Sequence, residues 1–218
     1  MLALFTRSGF RLLLSVWVAF AALMVLSGCG KRGTGNVASV PIDHYREVQD
    51  FSFTNQQGDT VTRAELQGKV WVANFVFTSC ATECLMLSQK MAGLQNRYPN
   101  RADVAFASFS VDPQTDNPER LAGYAKRWGA DNARWQFFTG DPEALDNIIK
   151  QSFLLPVMRT PEEQASLIQT NFIHSNKLAI VDRQGVVRAY VEGLDPDAID
   201  QAVKVIDVLL AEPVPTDS

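Results

Sequence analysis

The run Val70-Trp71-Val72-Ala73-Asn74-Phe75-Val76-Phe77 constrains this chain more than any other segment. Only Asn74 is polar, and no alternation divides the run into a wet and a dry face. Such a run predicts a strand covered on both sides, hence a sheet sandwiched between other layers. Gly68-Lys69 leads into it and Thr78-Ser79-Cys80 leaves it. The period then lengthens. Leu87, Met91, Leu94 and Tyr98 are spaced for the buried face of a helix over 81–97.

The flanking segments fit the same plan. Residues 48–53 and 59–62 predict a hairpin turning at 55–58. A strand is expected over 104–111. A helix follows over 119–128, opened by Pro118 and stopped by Gly129. A short strand is expected over 135–138, then a helix to residue 151 with Asp141 as N-cap. Residues 153–170 have no clean period and read as a long connection, a kind of segment that is often functional. Residues 177–181 and 186–190 predict an edge hairpin, and Asp195-Pro196 starts a last helix to about residue 210. Strands alternating with helices imply an α/β layered domain. A parallel segment closed by an antiparallel hairpin and a carboxy-terminal helix is the thioredoxin-like plan. It has a central mixed sheet flanked by helices, here with an N-terminal β-hairpin. The domain is expected over 48–212, with a tail at 213–218.

The amino terminus belongs to a different category. Arg7 and Arg11 precede an apolar run over 12–26 that only Ser15 breaks. The run is shorter than the ~20 residues of a comfortable membrane span and fits an export signal. It ends in Leu26-Ser27-Gly28-Cys29, which resembles a bacterial lipobox, so residues 1–28 read as a lipoprotein signal peptide and Cys29 as the lipidated residue. The Gly-rich, polar stretch 30–40 then reads as a flexible tether, and residues 29–47 as anchor and tether. The domain is expected outside the cytoplasm, on the periplasmic side of a bacterial membrane, where oxidising conditions give cysteines redox meaning.

The whole chain carries a net charge of −4, and loss of Arg7 and Arg11 with the leader makes the remainder more acidic. That balance gives no basic footprint for nucleic acid, and none is expected as a partner. Three cysteines in 218 residues are too few for a disulfide framework. With Cys29 assigned to the anchor, Cys80 and Cys84 remain, in Cys80-Ala81-Thr82-Glu83-Cys84. They lie where the central strand gives way to a helix. Positions i and i+4 share a helix face, and a helix amino terminus favours thiolates.

Three outcomes are open to this pair. A structural disulfide over so short a loop stabilises little. A redox dithiol would exchange with a partner's disulfide. Two thiolates and an imidazole would make a soft, low-coordinate set for Cu(I) that also accepts Cu(II). Of the two histidines, His44 sits beyond the tether and reads as solvated, whereas His174 precedes the closing hairpin. Met86, Met91 and Met158 are potential soft ligands but default to core filling. Trp71, Trp128 and Trp135 default to packing. Asp112 and Asp116 read first as turn and helix-cap residues ahead of Pro118, and otherwise as supports near the site.

These residues carry a resemblance. Phe77-Thr78-Ser79-Cys80 with Cys84, Ser110-Val111-Asp112-Pro113, Asp116-Asn117-Pro118-Glu119, Phe138-Thr139-Gly140, and His174-Ser175 ahead of Val181-Asp182-Arg183-Gln184-Gly185 together resemble the Sco/SenC family. The resemblance runs from about Phe51 to Leu210. It implies a thioredoxin fold, Cys80, Cys84 and His174 as copper ligands, and a metallochaperone role in assembling the binuclear copper site of cytochrome c oxidase. The partner would be the copper-bearing oxidase subunit or another copper protein. The resemblance also leaves a thiol–disulfide oxidoreductase, with Cys80 and Cys84 as the redox pair. The sequence departs from the family pattern at Ala81 and Leu85, where proline usually follows each cysteine, and at Ile173, where an acidic residue is common. A peroxiredoxin-like peroxidase is disfavoured, because Phe77 and Ala73 occupy the positions where its motif places threonine and proline.

Overall fold

The apolar run becomes β4 (Val70–Val76), with every residue buried. The computed structural model describes residues 40–159 and 172–213. In it β4 lies inside a six-stranded sheet. The sheet runs β1 (Arg46–Glu47), β10 (Val186–Glu192), β9 (Lys177–Val181), β4, β5 (Val104–Ser110), β6 (Trp135–Phe138). β4, β5 and β6 are parallel to one another. β9 pairs antiparallel with β4, and β10 with β9. This is the mixed sheet expected from the alternation of strand and helix patterns.

Both faces of β4 are covered, as its composition requires. Trp71, Ala73 and Phe75 point into a core with Phe109, Phe138, Ile148, Ile149 and Phe153. Val70 and Val72 point the other way, into a core with Leu87, Met91, Leu94, Phe106 and Ile206. Burying side chains of this size contributes about 1.5–3 kcal/mol each. α1 (Glu83–Arg97), α2 (Pro118–Arg127) and α4 (Ala198–Ala211) cover the second face, and α3 (Pro142–Gln151) the first. Local chemistry sets the helix ends. Asp141 caps α3 by accepting from the Ala144 N–H at 2.8 Å. Gly129 ends α2 at φ +62°, a left-handed conformation that costs glycine little.

The amino-terminal hairpin forms from β2 (Ser52–Thr54) and β3 (Thr60–Thr62), shorter than the expected segments. Asn55 shapes its turn, accepting from the Gln57 and Asp59 N–H groups through Oδ1. Reciprocal backbone bonds of 2.9 Å between Thr54 and Thr139 dock it beyond the end of β6.

Three expectations need correction. Strand pairing begins at β1, inside the stretch read as tether, because Arg46 and Glu47 pair with Val187 and Val186. β1 therefore covers the outer strand of the closing hairpin, and β9 lies against β4, so neither hairpin strand is the sheet edge. The connection read as irregular over 153–170 contains a strand, β7 (Val157–Arg159), which forms a two-stranded ladder with β8 (Phe172–His174) just beyond it. The ladder's two short strands lie far apart in sequence, so no periodic window reveals them. The signal segment, Cys29, most of the tether, residues 160–171 and the tail at 214–218 lie outside the described residues. No helix among the described residues is long and apolar enough to cross a membrane.

Candidate metal centre

β4 delivers the chain to the site. Its ladder with β5 extends by one bond, from the Val111 N–H to the Val76 carbonyl at 2.9 Å. The chain then turns, the Cys80 N–H donating to the Phe77 carbonyl at 3.1 Å. α1 starts at Glu83, not at Ala81, so Cys80 precedes the helix and does not share a helix face with Cys84. The sulfurs are brought together differently. Thr82 occupies the N-cap position but gives no side-chain cap. One of the first-turn N–H groups, that of Cys84, points instead at Cys80 Sγ, at 3.5 Å. A helix amino terminus has donors without intrahelical partners and a positive dipole end. The sulfur of Cys80 therefore sits where negative charge is stabilised.

The two cysteines are unequal. They are not joined as a disulfide. Cys80 is half-buried, whereas Cys84 is fully buried. The hydrogen bond to Cys80 and then burial push the Cys84 thiol far up, and Glu83 adds a smaller push in the same direction. The sequence made both sulfurs candidates for deprotonation. The geometry separates them into an accessible sulfur that accepts a helix N–H and a buried one that holds its proton.

A buried carboxylate fixes the approach to Cys80. Asp116 is fully buried. It accepts from the Thr78 N–H at 3.1 and 3.2 Å, from Thr78 Oγ1 at 2.5 Å and from Ser110 Oγ at 2.7 Å. Burial raises its pKa above the ordinary carboxylate value, against the opposing pull of the Thr78 and Ser110 hydrogen bonds. The helix cap is Asn117, which accepts from the Arg120 N–H at 2.9 Å, so Asp116 is not the cap. Its motif was visible in the sequence. Its partner was not, because Thr78 lies 38 residues away. Tyr124 closes the other side. Its hydroxyl donates to the Cys84 carbonyl at 3.2 Å and lies 2.9 Å from Ser88 Oγ, joining α2 to the first turns of α1. Burial pushes this phenol up to about 12.

The remaining candidates are distributed as follows. His174 ends β8, with its backbone paired to Val157, and its side chain lies outside the described residues. β9 begins three residues later and runs antiparallel to β4, with Ala179 opposite Ala73. The chain leaving β8 therefore enters the sheet at the end where β4 exits toward Cys80. No group of three metal-ligating side chains occurs among the described residues, a set that excludes the His174 imidazole. His44 is exposed. Met91 is core, Met86 is exposed, and the side chain of Met158 lies outside the described residues. Trp71 and Trp135 are core, and Trp128 packs half-buried against it.

The SCO1/SenC family model matches residues 40–210. The chain belongs to the SCO1/SenC family. It is 30% identical over 182 residues to the SCO1 protein homolog of Bacillus subtilis, spanning 83% of this chain and 88% of that protein. A SCO1/SenC family lipoprotein from Bacillus anthracis superposes with a TM-score of 0.68 at 32% identity, covering 76% of this chain and 95% of that one. BsSco, a member of the Sco family of cytochrome c oxidase assembly proteins in which a disulfide switch was identified, superposes at 0.66 and 28% identity, covering 80% and 99%. The fold expected from the strand and helix order is thus the fold of this family.

Proposed function

We propose that this SCO1/SenC chain is a copper metallochaperone, held outside the cytoplasmic membrane by a lipid on Cys29. Cys80, Cys84 and His174 hold the copper, and the client is the copper-bearing subunit of cytochrome c oxidase. The paired sulfurs at the start of α1 carry the reading, with Cys80 Sγ on the Cys84 N–H. Two thiolates and an imidazole form a soft donor set suited to Cu(I) and able to accept Cu(II). Metal binding requires Cys84 to release the proton that Cys80 and burial hold on it, so copper uptake is coupled to proton release. The half-buried Cys80 is the sulfur that a client's competing thiol reaches first.

A second reading uses the same asymmetry. As a thiol–disulfide oxidoreductase, Cys80 attacks a client disulfide and expels one client sulfur as thiolate. Cys84 then loses its proton and attacks Cys80. The client leaves reduced by two electrons and the pair becomes a disulfide. The disulfide switch of BsSco favours keeping this reading.

His174 separates the two. Copper affinity and disulfide-reducing activity are measured on the parent and on His174→Ala. The chaperone reading expects affinity to fall by two orders of magnitude or more while reduction persists. Unchanged affinity removes His174 from the site.

A further inference from the structure

The surface beside Cys80 carries a charge that the chain as a whole does not. A depression of about 260 Å³ is lined by Thr78, Arg120, Gly123, Tyr124 and Arg127. Thr78 is two residues from Cys80, and the Tyr124 hydroxyl bonds the Cys84 carbonyl. Four of the lining residues come from α2 at positions 120, 123, 124 and 127, a single helix face. Gly123, between Arg120 and Arg127 on this face, adds no side chain to the depression, and nothing lies within 4 Å of where its Cβ would stand. Arg120 and Arg127 are exposed, and neither forms an ion pair with a carboxylate among the described residues. Arg127 lies 5.7 Å over the ring of Trp128. The carboxylates nearest in sequence to the two arginines are Asp116, Glu119 and Asp131. Asp116 is buried and takes its hydrogen bonds from Thr78 and Ser110, Asp131 pairs with Arg134, and none of the three lines the depression. The chain overall has a net charge of −4.

We infer that this arginine-lined depression is the docking surface for an acidic segment of the client protein, seating its carboxylates as the client's sulfurs approach Cys80. The inference rests on the reading that Cys80 exchanges with a client's sulfur, by copper transfer or by disulfide reduction. Charge complementarity selects the occupant. Guanidinium groups bind carboxylates in a bidentate fork, and a local field of one sign steers an oppositely charged partner even when net charge opposes it. The overall charge favours a basic client. The patch favours an acidic one. The two expectations have opposite signs.

The test uses two synthetic peptides with the same oxidised Cys-Gly-Gly-Cys core, one flanked by glutamates and one by lysines. The reduced full chain in nonionic detergent is mixed with each, and the reduced peptide is quantified over time. At ~10 mM salt, where screening extends to about 30 Å, the glutamate peptide reacts about tenfold faster. At ~1 M salt, with a screening length of about 3 Å, the ratio falls to about one. Arg120→Gln with Arg127→Gln removes the preference, and the double lysine variant keeps most of it. Equal rates in the parent at low salt, a preference for the lysine peptide, exchange with neither peptide, or an undiminished glutamate preference in the glutamine variant each overturn the inference. Copper content is measured on the same samples. Its absence from the parent counts against the copper reading alone, because the peptide preference needs no metal.

Discussion

Replacing Asp116 by alanine removes the acceptor that ties the approach to Cys80 onto the strand beside it. Three donors lose their partner: the Thr78 N–H, Thr78 Oγ1 and Ser110 Oγ. Hydrogen bonds to a charged group are worth about 1.5–3 kcal/mol each, and a buried polar group left unsatisfied costs about 1–3 kcal/mol. Thr78 is half-buried and can turn to water, whereas Ser110 is fully buried. Removal of the carboxylate also relieves its desolvation. The balance is a loss of about 2–3 kcal/mol, dominated by Ser110. Urea unfolding of the reduced protein measures it, and iodoacetamide alkylation of Cys80 under native conditions reports the local effect. Alkylation should quicken several-fold as the turn loosens. Asp116→Asn retains one acceptor oxygen and falls between parent and alanine. The carboxyl is raised in the folded state, so the folded protein binds its proton more readily than the unfolded chain does. This group's contribution therefore improves as pH falls through its folded value toward the ordinary 3.8, and both variants lose that gain. A stability loss below ~0.5 kcal/mol, with unchanged Cys80 alkylation, would refute the clamp.

Other perturbations follow from contacts already described. Tyr124→Phe removes the hydroxyl shared by the Cys84 carbonyl and Ser88, and should cost about 1–2 kcal/mol in urea unfolding. Gly193→Ala would place a Cβ 2.7 Å from the Asn176 carbonyl oxygen and against Leu87, so it should destabilise by about 1–3 kcal/mol. Its effect on copper affinity should exceed that of Tyr124→Phe, because Asn176 follows His174 by two residues. Asp131 is lowered by its hydrogen bond and charge contact with Arg134. Its contribution is complete above the unfolded value of 3.8 and is lost as pH falls below it, so Asp131→Asn should flatten the acid-side stability profile.

Much of this molecule was legible because its strongest signals are local. The β4 run reported a doubly covered strand by composition alone. Pro118 with Gly129, and Asp141 with Pro142, marked helix ends through backbone chemistry confined to one turn. The cysteine pair stood out in the sequence too, but its geometry did not. Spacing of i and i+4 suggested a shared helix face, whereas Cys80 lies before the helix and meets Cys84 through a backbone N–H. The features that escaped are those made by long separations. Asp116 reads as a turn residue until Thr78 is placed beside it. Arg46 and Glu47 read as tether until Val186 and Val187 give them partners. β7 and β8 are three residues each, too short for a period to register. The arginine face of α2 gives no sequence signal of its own, because its depression is completed by Thr78, about forty residues earlier in the chain.

The central claim is that one copper ion sits on Cys80, Cys84 and His174. X-ray absorption of the reduced full chain loaded with Cu(I), read beside its His174→Ala variant, tests this most directly. The account predicts one copper per chain, with two sulfur neighbours and one nitrogen neighbour, the nitrogen lost in the variant. A reduced chain that retains no copper, or a copper shell unchanged by His174→Ala, would contradict it.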